Sequence, residues 1–377
     1  MFPFKDEDLE VMGSNLAAAA GHERVDEVWA VAAAENAAMA AVAAVAEEIA
    51  PTAATPIEVF AQERIGSLRP GKGDGMNTAL RRAAERGFDR VHFYDADITN
   101  FDETWIEGAE TAADRGYGVI RHRFPRAVTD AMITWMVTRP GMALSFPGTL
   151  LPRIAQPLGG EVLLVGDVVA TLAGDPFVAA RSDWGVDTIL TYATAVLGVG
   201  IYEHHVADGK RHALYGSLTD IEEMLLECLD AVGSLAGRPG PDPPGALEGD
   251  PPAPVPEDLK RTEAYDVDAT RAAISSQPSP EEAEVLESLG VAPAGPIEMD
   301  GDRWTEVFPP LMRRFRLDLP EWRAAAFRLW VERVIHYTTH RVPSGYDAAI
   351  AYLEATVSRF EGEVTPPSRI LRRLPSR

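Results

Sequence analysis

Over its first 235 residues the chain alternates strand-like and helix-like segments, and this rhythm most constrains its fold. Val25–Ala32, Ile57–Ile65, Arg90–Tyr94 and Tyr117–His122 read as strands, rich in β-branched and aromatic residues. Between them, Asn15–Ala20, Asn36–Ile49, Met76–Arg86 and Thr104–Arg115 have helical composition, and Gly87 is a plausible stop. A βαβα order of this kind predicts an α/β fold, a mostly parallel sheet flanked by helices. Ligands bind such sheets at the carboxyl ends of the strands, so loops after strands are where function is sought. Only Met1–Phe4 precede the polar run Lys5–Asp8. The first strand is therefore expected to be very short, or to begin upstream of Met1.

The rhythm stops at Gly237–Pro256, which holds eight prolines and four glycines. Such a stretch forms neither a helix nor a central strand and reads as a linker or surface excursion. Beyond it the pattern is helical only. In Pro320–Thr339, Trp322, Phe327, Trp330, Val334 and Tyr337 fall near one face, and Ser344–Phe360 follows in the same manner. The expected organisation is an α/β domain over 1–235, a Pro/Gly-rich linker over 236–260 and an all-helical region over 261–377. Ile370–Arg377 is basic and reads as a frayed end.

Charge narrows the partners. The chain has 35 Lys and Arg against 58 Asp and Glu, a net charge of −23. Such a surface repels a phosphate backbone, which excludes nucleic acid as the main partner. No run of about 18 strongly apolar residues is present, and the N-terminus lacks an export pattern. A single cysteine, Cys228, rules out an internal disulfide and any multi-cysteine zinc site. The expected home is the cytoplasm. Lysine is scarce: Lys5, Lys72, Lys210 and Lys260 are all there are, so each one is more informative than usual.

Six segments could carry chemistry. The first is His92-Phe93-Tyr94-Asp95-Ala96-Asp97, an apolar strand running into Asp-x-Asp. Residues two apart share a side, and paired carboxylates repel unless a hard divalent cation joins them. The second is Arg69–Asn77, where alternating glycines and Lys72 could meet an anion at a helix start. It matches neither common phosphate-loop spacing. The third is Gly209–Gly216, offering His212 and Tyr215, with His204 and His205 as rivals in the strand before it. The fourth is Arg181–Thr188, which sets Trp184 among carboxylates, as sugar sites often do. The fifth, Arg121–Arg126, concentrates arginines able to grip a carboxylate. The sixth is the tight turn Gln156–Glu161.

Together, PFKDE, QERIGSLRPGKGDGMNTALR, HFYDADI, YGVIRHRFPRAVTDAMITWM, QPLGGE, RSDWGVDT and KRHALYG resemble the mannosylglycerate synthase family, from Phe2 to about Ala231, with a return in LWVERVIHYT and GYDAAIAYL. The resemblance implies a GT-A fold and a retaining glycosyltransferase moving mannose from GDP-mannose to D-glycerate. It implies a divalent cofactor, Mg2+ or Mn2+, bound by Asp97 and His212, with Asp95 joining mainly from the nucleotide side. Pro3, Phe4, Lys5, Glu7, Gln62 and Lys72 would line the nucleotide pocket. Leu158, Trp184 and Asp187 would surround the sugar. Arg126, Asp130 and Thr134 would hold the acceptor, and Tyr215 and Met224 would close the site. The chain departs from the pattern at Ala32-Ala33-Ala34, where a Tyr is typical, and at Ala213, where a basic residue is. The implied partners are a nucleotide sugar and a small hydroxy acid, with a homo-oligomer possible and a compatible solute as product. Alternatives left open are glucosylglycerate synthesis, a sugar-nucleotide-binding protein without turnover, and a nucleotidyltransferase.

Overall fold

The computed structural model describes residues 1–377 except 214, 242–245, 275–276, 296 and 363–377; the basic end Ile370–Arg377 lies outside the described residues. The regular elements run β1 (Phe2–Pro3), α1 (Leu9–Gly21), β2 (Val28–Ala32), α2 (Met39–Ile49), β3 (Ile57–Ala61), α3 (Lys72–Arg86), β4 (Arg90–Phe93), α4 (Glu103–Asp114) and β5 (Val119–Arg123). They continue through α5 (Arg139–Ser145), β6 (Val162–Val165), α6 (Gly166–Ala173), α7 (Pro176–Ala180), α8 (Val186–Val196), β7 (Ile201–His205), α9 (Glu222–Ser234) and β8 (Leu247–Gly249). The C-terminal part holds α10 (Val267–Ala273), α11 (Pro280–Ser288), α12 (Gly301–Arg314), α13 (Pro320–His340) and α14 (Tyr346–Gly362).

Local chemistry sets several of these boundaries. Asp8 caps α1 by accepting from the amides of Glu10 and Val11, and Asp102 caps α4 through Thr104. Gly87 ends α3 in the left-handed region, at φ 70°, as its position predicts.

Two sheets form, β1-β2-β3 and β4-β6-β5-β7-β8. The Met1 amine donates to the His92 carbonyl (2.9 Å), and the Tyr94 amide donates to the Met1 carbonyl (3.1 Å), so β1 lies beside β4 and the sheets continue one another. β1 is two residues long, the short first strand expected. Burial lowers the pKa of the Met1 amine to about 5. A groove of about 730 Å³ runs between β2 and β4 beside it.

Two strands escape the sequence pattern. β6 pairs antiparallel with both β4 and β5 and is the exception in an otherwise parallel arrangement. Its run VLLV is only four residues long, shows no alternation, and passes directly into α6 at Gly166. β8 corrects the linker reading of 236–260. Leu247–Gly249 pairs parallel with β7 at the sheet edge. Prolines flank this strand rather than interrupt it, and an edge tolerates them. Asp250 then accepts from Tyr202 Oη (2.6 Å), from the His205 amide (2.9 Å), and bonds His204 Nδ1 (2.9 Å). His204 and His205 are thereby committed to holding this segment.

The C-terminal elements are helical, as expected, and their apolar faces share one core with the sheet, from Val162 and Leu164 to Trp304, Trp330 and Phe360. Three of their side chains seize main-chain carbonyls of the segment after β5. Tyr346 Oη donates to Arg126 (3.0 Å), Tyr337 Oη to Val128 (3.0 Å) and Trp304 Nε1 to Met136 (2.9 Å). Truncating Trp304 removes a large buried ring and strands the Met136 carbonyl. Trp304→Ala is expected to cost about 3–5 kcal/mol, read as a lower urea midpoint at unchanged slope.

Candidate active site

A cavity of about 380 Å³ opens where the strands of the α/β part end. Every site residue expected from the sequence lines it. Pro3, Phe4, Lys5 and Glu7 come from β1 and the turn after it, and Gln62 from the end of β3. Lys72 opens α3, and Asp95 and Asp97 follow β4. Arg126, Asp130 and Thr134 follow β5, and Leu158 precedes β6. Trp184 and Asp187 stand at the start of α8. His212 and Tyr215 follow β7, and Met224 is in α9.

The core of the site is a chain of alternating charges. Lys72 Nζ donates to Asp95 Oδ1 (2.7 Å) and Asp187 Oδ2 (3.0 Å). Lys210 Nζ donates to Asp95 Oδ2 (2.6 Å) and Glu161 Oε1 (2.6 Å), and stands 4.0 Å from Asp97 Oδ1. Burial alone would lower the pKa of both ammoniums, but the surrounding carboxylates reverse this and hold them above the usual lysine range. Burial likewise favours a neutral Asp95, and Lys210 and Lys72 overcome it, keeping that carboxyl well below its ordinary range. Asp187 is pushed up by burial, with Lys72 opposing. Gly160 permits this closeness. A Cβ there would lie 2.4 Å from Asp95 Oδ1 and 2.5 Å from Lys72 Nζ.

Counting Asp97, this cluster sets four carboxylates against two ammoniums, a surplus of two negative charges. Asp97 Oδ1 is buried without a hydrogen-bond partner. His212 bonds the Ala213 carbonyl through Nδ1 (2.8 Å), which directs Nε2 away from it, 3.6 Å from Asp130 Oδ2. An orphaned carboxylate oxygen, an imidazole nitrogen and a charge deficit of two fit one divalent cation. Asp95 fits less well as a direct ligand, because both its oxygens already accept from ammoniums. Among the described residues, no group of three or more His, Cys, Asp and Glu side chains is arranged to hold a metal. Two protein ligands would leave the other coordination positions to a bound molecule.

The opposite wall carries an ion pair on a strained backbone. Arg126 Nη1 donates to Asp130 Oδ2 (2.9 Å). Burial opposes ionisation of Asp130, but Arg126 and His212 hold its pKa below the usual range. Ala131, which follows, has φ 57° and is the one non-glycine in the left-handed region among the described residues. A π-helical turn over Thr134–Thr138 comes next. Both features concentrate at functional sites. Of the run Arg121–Arg126, which spans the end of β5 and the turn after it, only Arg126 lines the cavity. Arg121 instead donates to the Gln156 and Gly159 carbonyls (3.1 and 3.0 Å), bracing the turn that carries Leu158.

Sequence reading flagged the segments that hold Lys210, Arg69 and Glu161 but gave those residues no role, and it missed Glu35 and Asn36; all but Glu161 are on the cavity wall, and Glu161 stands behind it. Lysine scarcity was a usable signal for Lys210, since three of the four lysines line this cavity. Arg69 pairs with Glu227 (2.5 Å), and Glu227 also accepts from the Trp184 amide (3.0 Å), which fixes Trp184. Lys72 Nζ lies 5.7 Å from the centroid of that ring.

Asp183, at the entry to α8, accepts from the Gly185 amide (3.0 Å). Burial raises its pKa to about 6, with Glu227 adding to the effect and Arg181 opposing it. A raised carboxyl favours the folded state most below the unfolded pKa near 4, and that advantage is lost as pH rises through about 6. Asp183→Asn keeps the Gly185 acceptor and removes the titration. Its stability relative to the parent is expected to improve from pH 4 to pH 7, measured by urea unfolding at each pH.

Comparison with known proteins places the chain in a family. Residues 1–234 match the family described as mannosylglycerate synthase, GT domain, and residues 296–357 match the mannosylglycerate synthase C-terminal domain. The chain is 44% identical over 375 residues to a mannosylglycerate synthase of Rhodothermus marinus, covering 96% of this chain and 93% of that protein. It is 38% identical over 369 residues to one of Selaginella moellendorffii, covering 94% and 87%. Among solved structures it is similar to glucosyl-3-phosphoglycerate synthase of Mycobacterium tuberculosis in complex with Mn2+, UDP-glucose and phosphoglyceric acid. That match has a TM-score of 0.51 at 20% identity, over 63% of this chain and 79% of that one, and it supports the GT-A fold. The chain is a glycosyltransferase and belongs to the mannosylglycerate synthase family.

Proposed function

We propose that this enzyme transfers mannose from GDP-mannose to D-glycerate with retention at the anomeric carbon. The observation that carries the reading is the pairing, across one cavity, of the Lys72–Asp95–Lys210 ladder beside Asp97 with the Arg126–Asp130 pair. The first suits a diphosphate and a cation, and the second suits a small carboxylate.

Lys72 and Lys210 present fixed positive charge where a leaving diphosphate gains negative charge. Fixed charge of this kind lowers a barrier because it needs no reorganisation during the reaction. A divalent ion, Mg2+ or Mn2+, held by Asp97 and His212 would supply further neutralisation of that leaving group. Arg126 would hold the acceptor carboxylate as a bidentate fork, aiming the hydroxyl. Trp184 and Leu158 would cover the apolar face of the sugar, and Asp187 would accept from its hydroxyls. Asp187 is engaged by Lys72 (3.0 Å), which blunts it as a nucleophile. The reading is therefore a same-face substitution. The bond from C1 to the diphosphate oxygen breaks, the bond from C1 to the acceptor oxygen forms, and the acceptor proton passes to the leaving diphosphate. Phe4, Lys5, Glu7, Gln62 and the open stretch at Ala33 would receive the base. The lone buried Cys228 suits a reducing compartment, and the reading sets the reaction in the cytoplasm.

A panel of GDP- and UDP-linked mannose and glucose against D-glycerate and 3-phosphoglycerate, with Mg2+ or Mn2+, tests this directly. Product NMR should give α-mannosylglycerate from GDP-mannose; nucleotide release with no pair would sink the reading. Asp97→Ala is expected to lower kcat by about 10²–10³-fold, the loss of about 3–4 kcal/mol typical of one preorganised charge contact, with circular dichroism unchanged. Arg126→Ala should raise the KM for glycerate at least about tenfold more than that for the donor. Tyr346→Phe, which releases the Arg126 carbonyl, should raise the glycerate KM by a smaller factor and leave the donor KM unchanged.

A further inference from the structure

Glu161 is 1% exposed, at the head of β6, and only one of its carboxylate oxygens has a partner, Lys210 Nζ. A carboxylate is not buried in this way without a compensating charge, so Glu161 and Lys210 form a unit. Glu161 adjoins a central strand, whereas Lys210 stands on the loop after β7. The rigid partner therefore anchors the loop-borne one. Lys210 directs its remaining reach at the two carboxylates of Asp-x-Asp, with Asp95 Oδ2 at 2.6 Å and Asp97 Oδ1 at 4.0 Å. With Lys72 on Oδ1, Asp95 has neither oxygen free.

We propose that Lys210, anchored by Glu161, is a positioning residue that keeps Asp95 out of the metal's coordination sphere and reserves the cation for Asp97, His212 and the donor diphosphate. The proposal deepens the metal-dependent reading above and rests on it. Its consequence has an unusual sign. Removing the ammonium frees Asp95 Oδ2 as a ligand and takes away a positive charge close to Asp97. The nucleotide-free protein should then bind a divalent ion more tightly while turning over more slowly, because Asp95 leaves its place and the diphosphate loses a cation. Removing Glu161 takes a negative charge from the cluster and leaves Lys210 hydrogen-bonded to Asp95 alone, and should act in the opposite sense. A residue that merely supported the fold would not give opposite effects on metal affinity.

The test is titration of the full-length protein with Mn2+, reading free Mn2+ by electron paramagnetic resonance, without and then with GDP. For Lys210→Met, the Mn2+ Kd without GDP is expected to fall at least about fivefold while kcat falls at least about tenfold. For Glu161→Gln, the same Kd is expected to rise about severalfold. Equal or weaker Mn2+ binding by folded Lys210→Met overturns the proposal. If that variant does not fold, the Glu161→Gln/Lys210→Met double variant removes both buried charges together. It must bind Mn2+ more tightly than Glu161→Gln alone, and failure to do so overturns the proposal equally. Wild-type protein that ignores Mn2+ even with GDP present overturns the metal-dependent reading as well.

Discussion

The site is built on two lysines that share one aspartate. Asp95 accepts from Lys72 on one oxygen and Lys210 on the other, and each lysine continues to a second carboxylate, Asp187 or Glu161. Buried charges are stable only when they are paired and hydrogen-bonded. The alternation satisfies that condition step by step across five places in the fold: the start of α3, the turn after β4, the approach to β6, the start of α8 and the loop after β7. Because each ion is needed by its neighbours, the loops that carry them cannot drift separately. The surplus of negative charge falls at Asp97, whose orphaned oxygen faces the same cavity.

The helical C-terminal part has a stabilising role that its sequence did not announce. Tyr346, Tyr337 and Trp304 take main-chain carbonyls at Arg126, Val128 and Met136, on both sides of the strained Ala131. A left-handed alanine raises the local energy by on the order of 1–3 kcal/mol and persists only where the surroundings over-determine it. Those surroundings are the apolar faces of α12, α13 and α14, merged with the core of the sheet. One half of the chain therefore sets the geometry of a segment belonging to the other.

Much of this was legible in the residues. The strand ends at His92–Asp97 and Arg121–Arg126 placed Asp95, Asp97 and Arg126 on one edge, because an α/β rhythm fixes which loops open together. The family resemblance then supplied Lys5, Gln62, Leu158 and Met224, whose residue types alone carry no such meaning. What stayed hidden is instructive. Lys210 sat inside the KRHALYG segment, but attention there went to His212, although the scarcity of lysine marked it. Glu161 read as the end of a turn, because nothing local says that a carboxylate is buried. β6 lacked alternation since both its faces are covered, and β8 lay in a proline-rich stretch that composition assigns to a linker.

The sequence by itself determined the α/β class, the helical character of the C-terminal region, and which strand-end loops open together, since periodicity and spacing are properties of the chain order. Only the tertiary structure decided which charges pair, that Asp95 is fully occupied, that the proline-rich segment closes the sheet edge, and that distant helices brace the Arg126 segment. The physical reason is that ion pairing, hydrogen bonding and burial depend on distances between residues far apart in the chain, 220 positions in the case of Arg126 and Tyr346. Those distances exist only once the chain has packed.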